Sequence, residues 1–191
     1  MLSKAMGPIY EWWGPGPCGV QKSFKRRFVM KKWTGFLVFA LLLSWPMIGS
    51  AEELGGGYSV NPPDGWTVRD FPGSPYKGLF GTRVGNFTPN INLQEEHYSG
   101  PMDTYIQLSF VHLEKLMKAK LISQTPFFAG NHNGVKLITH TEFNDFELTQ
   151  TFYFFEKPMG KKLVVTATTG RDSGWQYDPV FDEIMHTFQM E

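Results

Sequence analysis

The chain has 191 residues, and its 41% hydrophobic content, with 17 Phe, excludes an intrinsically disordered protein and supplies enough apolar surface for one packed core. Its zero formal charge is a cancellation: residues 1–51 hold seven basic groups and one acid, a net +6, whereas residues 52–191 hold eleven basic and seventeen acidic groups, a net −6. An acidic main body excludes sequence-independent nucleic-acid binding, which needs clustered Lys and Arg.

Residues 1–29 include Trp12-Trp13-Gly14-Pro15-Gly16-Pro17, which has neither helical nor strand period and reads as turn-rich coil. They are an unstructured upstream extension, or Met30 is the true start, because Met30-Lys31-Lys32 opens an ordinary signal sequence. The alternative is a twin-arginine export signal built on Lys25-Arg26-Arg27. Residues 30–51 read as a secretory signal peptide: Lys31 and Lys32, then the apolar run 36–43, then Gly49 and Ala51 at the −3 and −1 positions, with cleavage expected after Ala51. The apolar run is far short of the roughly 20 residues a spanning helix needs, so no stable membrane span is expected after cleavage. The sole cysteine, Cys18, lies upstream, and the domain 52–191 is cysteine-free, with no disulfide, thiolate nucleophile or Cys metal ligand. Export to the periplasm or the extracellular space is the expectation.

In the domain itself, residues 52–57 read as a Gly-rich flexible lead-in, and Tyr58-Ser59-Val60 as a strand stopped by Pro62-Pro63-Asp64-Gly65. Residues 66–69 are extended, 71–78 form a Pro/Gly loop, and 79–87 and 89–95 are strand-like. The clearest helix follows. Met102, Tyr105, Ile106, Ser109, Phe110, Leu113, Leu116 and Met117 recur every three or four residues, Pro101 suits a first helical position, and Asp103 at one end and Lys115, Lys118 and Lys120 at the other suit the dipole. Core packing is the ordinary fate of such a stripe. Strands 121–128, 135–143, 146–156 and 161–169 come next, joined by turns at Gly130-Asn131-His132-Asn133-Gly134, Asn144-Asp145 and Lys157-Pro158-Met159-Gly160. In the third, Phe146, Leu148, Gln150, Phe152 and Phe154 make one mostly apolar face, which predicts an antiparallel meander with one face against helices. Residues 170–174 read as a polar loop, with Asp178 as N-cap and Pro179 as first residue of a terminal helix that buries Val180, Phe181, Ile184, Met185 and Phe188. The fold class is α+β, an antiparallel sheet flanked by helices.

Tyr58-Ser59-Val60-Asn61-Pro62-Pro63-Asp64-Gly65-Trp66 resembles the opening of the PsbP-like superfamily. Pro89-Asn90-Ile91-Asn92-Leu93 resembles its next characteristic strand, and Phe181-x-x-Ile184-x-x-x-Phe188 its last element. The resemblance spans residues 58–188 and implies an α/β/α sandwich that binds partners rather than catalyses. That superfamily includes an extrinsic subunit of photosystem II, bacterial relatives and a Ran-binding import factor; its divergent members share the fold and not the job. Pro63, Gly65 and Trp66 are structural in this reading, with Trp66 a core or edge plug.

Catalytic signatures are sparse: there is no Gly-x-Ser-x-Gly elbow, no His-Glu-x-x-His helix and no phosphate loop. Glu95-Glu96-His97 is the one cluster whose residue types suit Mn²⁺ or Zn²⁺, and some photosynthetic relatives are associated with metal. Adjacent strand residues point to opposite faces, so only Glu95 and His97 could share an ion, with His140 or Glu142 as third ligand. A solvated loop is the plainer reading, and no cofactor is expected. His112 and His186 are expected at the surface. The expected function is an exported, non-catalytic domain that binds a protein partner or envelope component through the loops 71–78 and 94–100, with Tyr76, Lys77, Gln94 and Tyr98 as candidate contacts. The alternative is a metal-binding protein or metal-assisted hydrolase using Glu95 and His97.

Overall fold

A computed structural model describes residues 50–191. The upstream extension, the signal peptide up to Gly49 and Cys18 lie outside the described residues. Among the described residues no helix is long and apolar enough to cross a membrane.

Seven strands make one antiparallel sheet. They are β3 (Thr67–Asp70), β4 (Lys77–Phe80), β5 (Asn90–His97), β6 (Lys120–Ala129), β7 (His132–Phe143), β8 (Phe146–Lys157) and β9 (Lys161–Gly170), in the order β3-β4-β5-β9-β8-β7-β6. A second sheet has three short strands, β1 (Glu52–Gly55), β2 (Tyr58–Val60) and β10 (Gln189–Met190), with β2 in the middle. Helix α1 (Met102–Met117) packs on one face of the large sheet, burying Tyr105 and Ile106 against Leu137, Phe152 and Phe154. Helix α2 (Gly174–His186) and the small sheet cover the other face, where Phe181, Ile184, Met185 and Phe188 meet Tyr153, Phe155, Leu163 and Val165. The fold is α+β, with the large sheet between helices.

The structure revises four local expectations. Residues 52–57 are not a loose lead-in but strand β1 and a tight turn, in which Gly55, Gly56 and Gly57 have φ of +91°, +66° and +79°. Three consecutive left-handed residues need glycine, so the run is conformational and not a linker. Strand β4 ends at Phe80 rather than continuing to residue 87. Both faces of β8 are buried from Leu148 to Phe155, because a helix layer lies on each side. Finally, a 3₁₀ turn (Arg171–Ser173) leads straight into α2 at Gly174, so Asp178 is not its N-cap and Pro179 lies inside the helix. Tertiary contact overrides the local signal there: the Thr149 hydroxyl donates to the Arg171 carbonyl (3.4 Å), docking the turn on β8, and Pro179 is tolerated on the exposed side of α2.

The turn after β2 is built as its sequence demands. The Trp66 N–H donates to the Pro63 carbonyl (3.1 Å), and Gly65 takes φ +81°, which a side chain would strain. Trp66 is half-buried, edge-on to Tyr177 (6.4 Å between centroids) and Phe181 (6.1 Å), and so pins the turn to α2. Trp66→Ala is expected to cost about 2–3 kcal/mol, below the roughly 3–5 kcal/mol of a fully buried aromatic, read from the shift in urea midpoint at unchanged slope.

Candidate functional site

Because α1 lies over β7 and β8, the same face of β9 and β5 has no helix above it. The result is an open cleft of about 600 Å³ between the flank of α1 and β5. Its floor is Phe152, Phe154, Val164 and Thr166 from β8 and β9. One wall is Tyr105, Leu108, Ser109, His112 and Leu113 of α1; the other is Gln94, Glu96 and Tyr98. Strand alternation explains the choice on β5: Ile91 and Leu93 turn into the core with α2, so Gln94 and Glu96 turn towards α1.

The polar groups of the cleft are ordered. The Glu96 carboxylate accepts from the Tyr105 hydroxyl (2.8 Å) on one oxygen and from the Gln94 side-chain amide (3.0 Å) on the other. Burial, then the bond to Glu96, pushes the Tyr105 phenol well above the ordinary tyrosine range, so it stays a donor. Tyr98 leans on Tyr105 with ring centroids 5.3 Å apart, and a Cβ on Gly100 would meet the Tyr98 ring at 2.6 Å, so the glycine makes room for it. Along α1, Leu108 (56%) and Val111 (59%) are exposed opposite the apolar stripe, and Leu116 (62%), expected in that stripe, is exposed as well.

The candidate residues read from sequence separate across this architecture. Gln94 and Tyr98 line the cleft. Tyr76 instead packs edge-on to Tyr58 on the other side of the large sheet (5.5 Å) and borders a smaller recess of about 350 Å³ under the loop 71–76, which Gln94 also borders. Lys77 is exposed at the start of β4, opposite Asp70. Glu96 and Tyr105, which organise the cleft, were hidden in the sequence as half of an acidic pair and as one member of a core stripe. The nine-residue spacing that joins them crosses a loop and carries no local signature.

The proposed metal ligands are not brought together. Glu95 and His97 belong to an ordered strand, not a solvated loop. Glu95 accepts from the Tyr58 hydroxyl on one oxygen and from the Lys161 ammonium on the other (3.0 Å), which together hold its carboxyl below the usual range, the Tyr58 bond first. His97 pairs in register with Lys161, at the opposite end of β9 from Thr169, which shares β8 residue Thr149 with His140. His140 and Glu142 lie on β7, three strands from β5, or about 14 Å at ordinary spacing, and cannot complete that site. Among the described residues no group of three or more His, Cys, Asp or Glu converges as a metal site.

Two further polar clusters join the layers. Buried Lys136 on β7 reaches Asp178 (2.8 Å) and Asp182 (2.7 Å) of α2, and Tyr153 also donates to Asp182 (2.7 Å). Fully buried Lys162 pairs with Glu156 (2.5 Å) across β8 and β9. His186 stacks on Phe127 (5.0 Å) and meets the Phe128 carbonyl (3.0 Å), an exposed group with a structural contact.

No protein-family description matches the sequence, and no curated protein matches it. Solved structures do match. LpqN of Mycobacterium tuberculosis, described as involved in cell envelope biogenesis, is 17% identical with a TM-score of 0.57, over 76% of this chain and 87% of its own. PA94 of Pseudomonas aeruginosa, a protein of unknown function, is 17% identical with a TM-score of 0.52, over 72% of this chain and 94% of its own. Cyanobacterial PsbP from Synechocystis is 16% identical with a TM-score of 0.50, over 75% of this chain and 94% of its own. At these identities the likeness is one of fold, and the fold is PsbP-like.

Proposed function

We propose that this protein is an exported, non-catalytic PsbP-like domain that binds a protein partner, and that the cleft beside α1 is where it binds. The observation that carries the reading is an open cleft whose accessible apolar surface is half-buried Val164 and exposed Leu108, set over the buried rings of Phe152 and Phe154 and bounded by ordered polar groups. Contiguous apolar surface rimmed by polar groups marks binding sites rather than idle surface. What the cleft orders is a binding arrangement: Glu96 is held by two neutral donors, and one of them, the Tyr105 phenol, is kept protonated.

Export is supported by the signal-like segment and by β1, whose first residue, Glu52, directly follows the expected cleavage point. A fold shared with an envelope-biogenesis protein fits the same location. Amino-terminal sequencing of the protein recovered from the cell envelope is expected to begin at Glu52; a product retaining residues 36–43 contradicts processing. For binding, Leu108→Glu is expected to abolish recovery of the native partner while leaving the thermal midpoint within about 1 °C, since Leu108 is exposed. Equal recovery with wild type and Leu108→Glu contradicts the cleft as the binding surface.

A further inference from the structure

The cleft has a charge that nothing in the fold neutralises. Six carboxylates among the described residues are ion-paired: Glu142 with Lys118, Asp178 and Asp182 with Lys136, Glu95 with Lys161, Glu156 with Lys162 and Glu147 with Arg171. Glu96 is in none of these pairs, yet it is the carboxylate most carefully aimed, with one neutral hydrogen bond on each oxygen. The cation opposite it in register, Lys162, is fully buried and turned to Glu156 at 2.5 Å, so its charge is already matched. Beside Glu96 runs a chain of aromatic rings, Tyr98 to Tyr105 (5.3 Å), Tyr105 to Phe154 (6.0 Å) and Phe154 to Phe152 (6.1 Å).

An oriented, unpaired carboxylate beside aromatic rings and above an apolar floor suits one kind of guest, a cation carried on hydrocarbon. The half-buried Tyr98 ring, held in place by the buried rings behind it, attracts the charge through its quadrupole, and Val164 and Leu108 take the methylenes. We infer that, within the binding role proposed above, the cleft recognises a Lys or Arg side chain presented by a basic protein partner, its charged head on Glu96 and its stem along Tyr98, Val164 and Leu108. A protein is favoured over a free amine because exposed Leu108 in the cleft wall and exposed Leu116, one helical turn on from His112, extend the apolar surface along α1 beyond what a small ligand covers. It is favoured over an anionic lipid surface because the domain 52–191 is itself at net −6 and is repelled there. The same field raises the encounter rate with a basic partner and makes it fall with salt.

The test titrates the purified protein with acetyl-Phe-Lys-Leu amide, followed by backbone amide NMR shifts at pH about 8, where an ordinary histidine is neutral. One comparison arm replaces the lysine of the peptide with norleucine, which keeps the methylenes and drops the charge. Another uses tetramethylammonium chloride, a free cation. The lysine peptide is expected to shift Gln94, Glu96 and His112, to bind about tenfold more tightly than the norleucine peptide, and to fall to the norleucine level in Glu96→Gln. Glu96→Gln keeps an acceptor for Tyr105, and Glu96 is exposed, so the fold is retained. Equal affinity for the two peptides, or an unchanged lysine affinity in Glu96→Gln, overturns cation recognition while leaving the cleft as a binding surface. Tetramethylammonium binding as tightly as the lysine peptide overturns the peptide source. No shift with any probe overturns both this inference and the placement of binding in the cleft.

Discussion

Phe155→Ala is expected to lower the stability of the domain by about 3–5 kcal/mol, enough to leave a typical domain of this size barely folded. Phe155 is completely buried at the centre of the larger core, stacked with Phe188 at 6.4 Å beyond the end of α2. Its ring therefore joins β8 to the segment that leads into β10, and through β10 to the small sheet. Removing it opens a cavity that strand geometry prevents from closing, because β8 is fixed on both sides by β7 and β9. Phe155→Leu, which keeps most of the volume, is expected to cost less than half as much. Urea melts of the two variants check the ordering; a Phe155→Ala midpoint close to wild type contradicts the assignment of this core.

The second large effect is alkaline. Tyr58, Tyr105 and Tyr153 are buried, and each donates to a carboxylate: Glu95, Glu96 and Asp182. Burial first, then that bond, raises all three phenols well above the ordinary value of 10.0. Below pH 10 the tyrosines are protonated whether the chain is folded or unfolded, and their contribution is constant. As pH rises above 10 the unfolded chain loses three protons that the folded chain keeps, so stability falls. The slope approaches roughly 1.4 kcal/mol per pH unit for each tyrosine, or about 4 kcal/mol for three, and the contribution is lost by the time pH passes the folded values. The expected result is a cooperative alkaline unfolding in which the phenolate absorbance of these residues rises with the loss of structure and not before it. Replacing all three by Phe should flatten the slope. Phenolate formation in a chain that stays folded contradicts the three donor assignments.

These expectations rest on contacts that local pattern reveals unevenly. Helix α1 was legible because its apolar residues repeat with the helical period and because its burial needs only one partner face. The hairpin turns were legible because Asn144 and Asp145 both take positive φ (46° and 66°), which Asn and Asp tolerate. The start of α2 was not, since Asp178-Pro179 is a strong local start signal and only the docking of residues 171–173 on β8 shows that the helix has already begun. The glycines at 55–57 carry the same letters in a linker and in a hairpin; strand pairing with Tyr58 and Val60 decides between them.

The site was less legible than the fold, for a physical reason. Gln94 and Tyr98 were singled out from their setting after a strand and do line the cleft, but the cleft exists because α1 covers β7 and β8 and leaves β5 and β9 open. Which strands a helix covers is set by the order β5-β9-β8-β7, which joins residues far apart in the chain. Glu95 shows the same limit from the other side: its residue type suggests a ligand, and only the pairing with Tyr58, 37 residues away, shows that it is already engaged.

The central claim is that the α1 cleft, and not another face, is the binding surface. The most direct measurement places a photo-crosslinking side chain, benzoylphenylalanine, at Leu108 beside the cleft or at Trp175, which is 76% exposed on α2 in the opposite layer. After irradiation of intact cells of the native host, the account predicts a discrete covalent adduct to one partner from position 108 and none from position 175. An adduct from 175 but not from 108, or the same adducts from both, contradicts it.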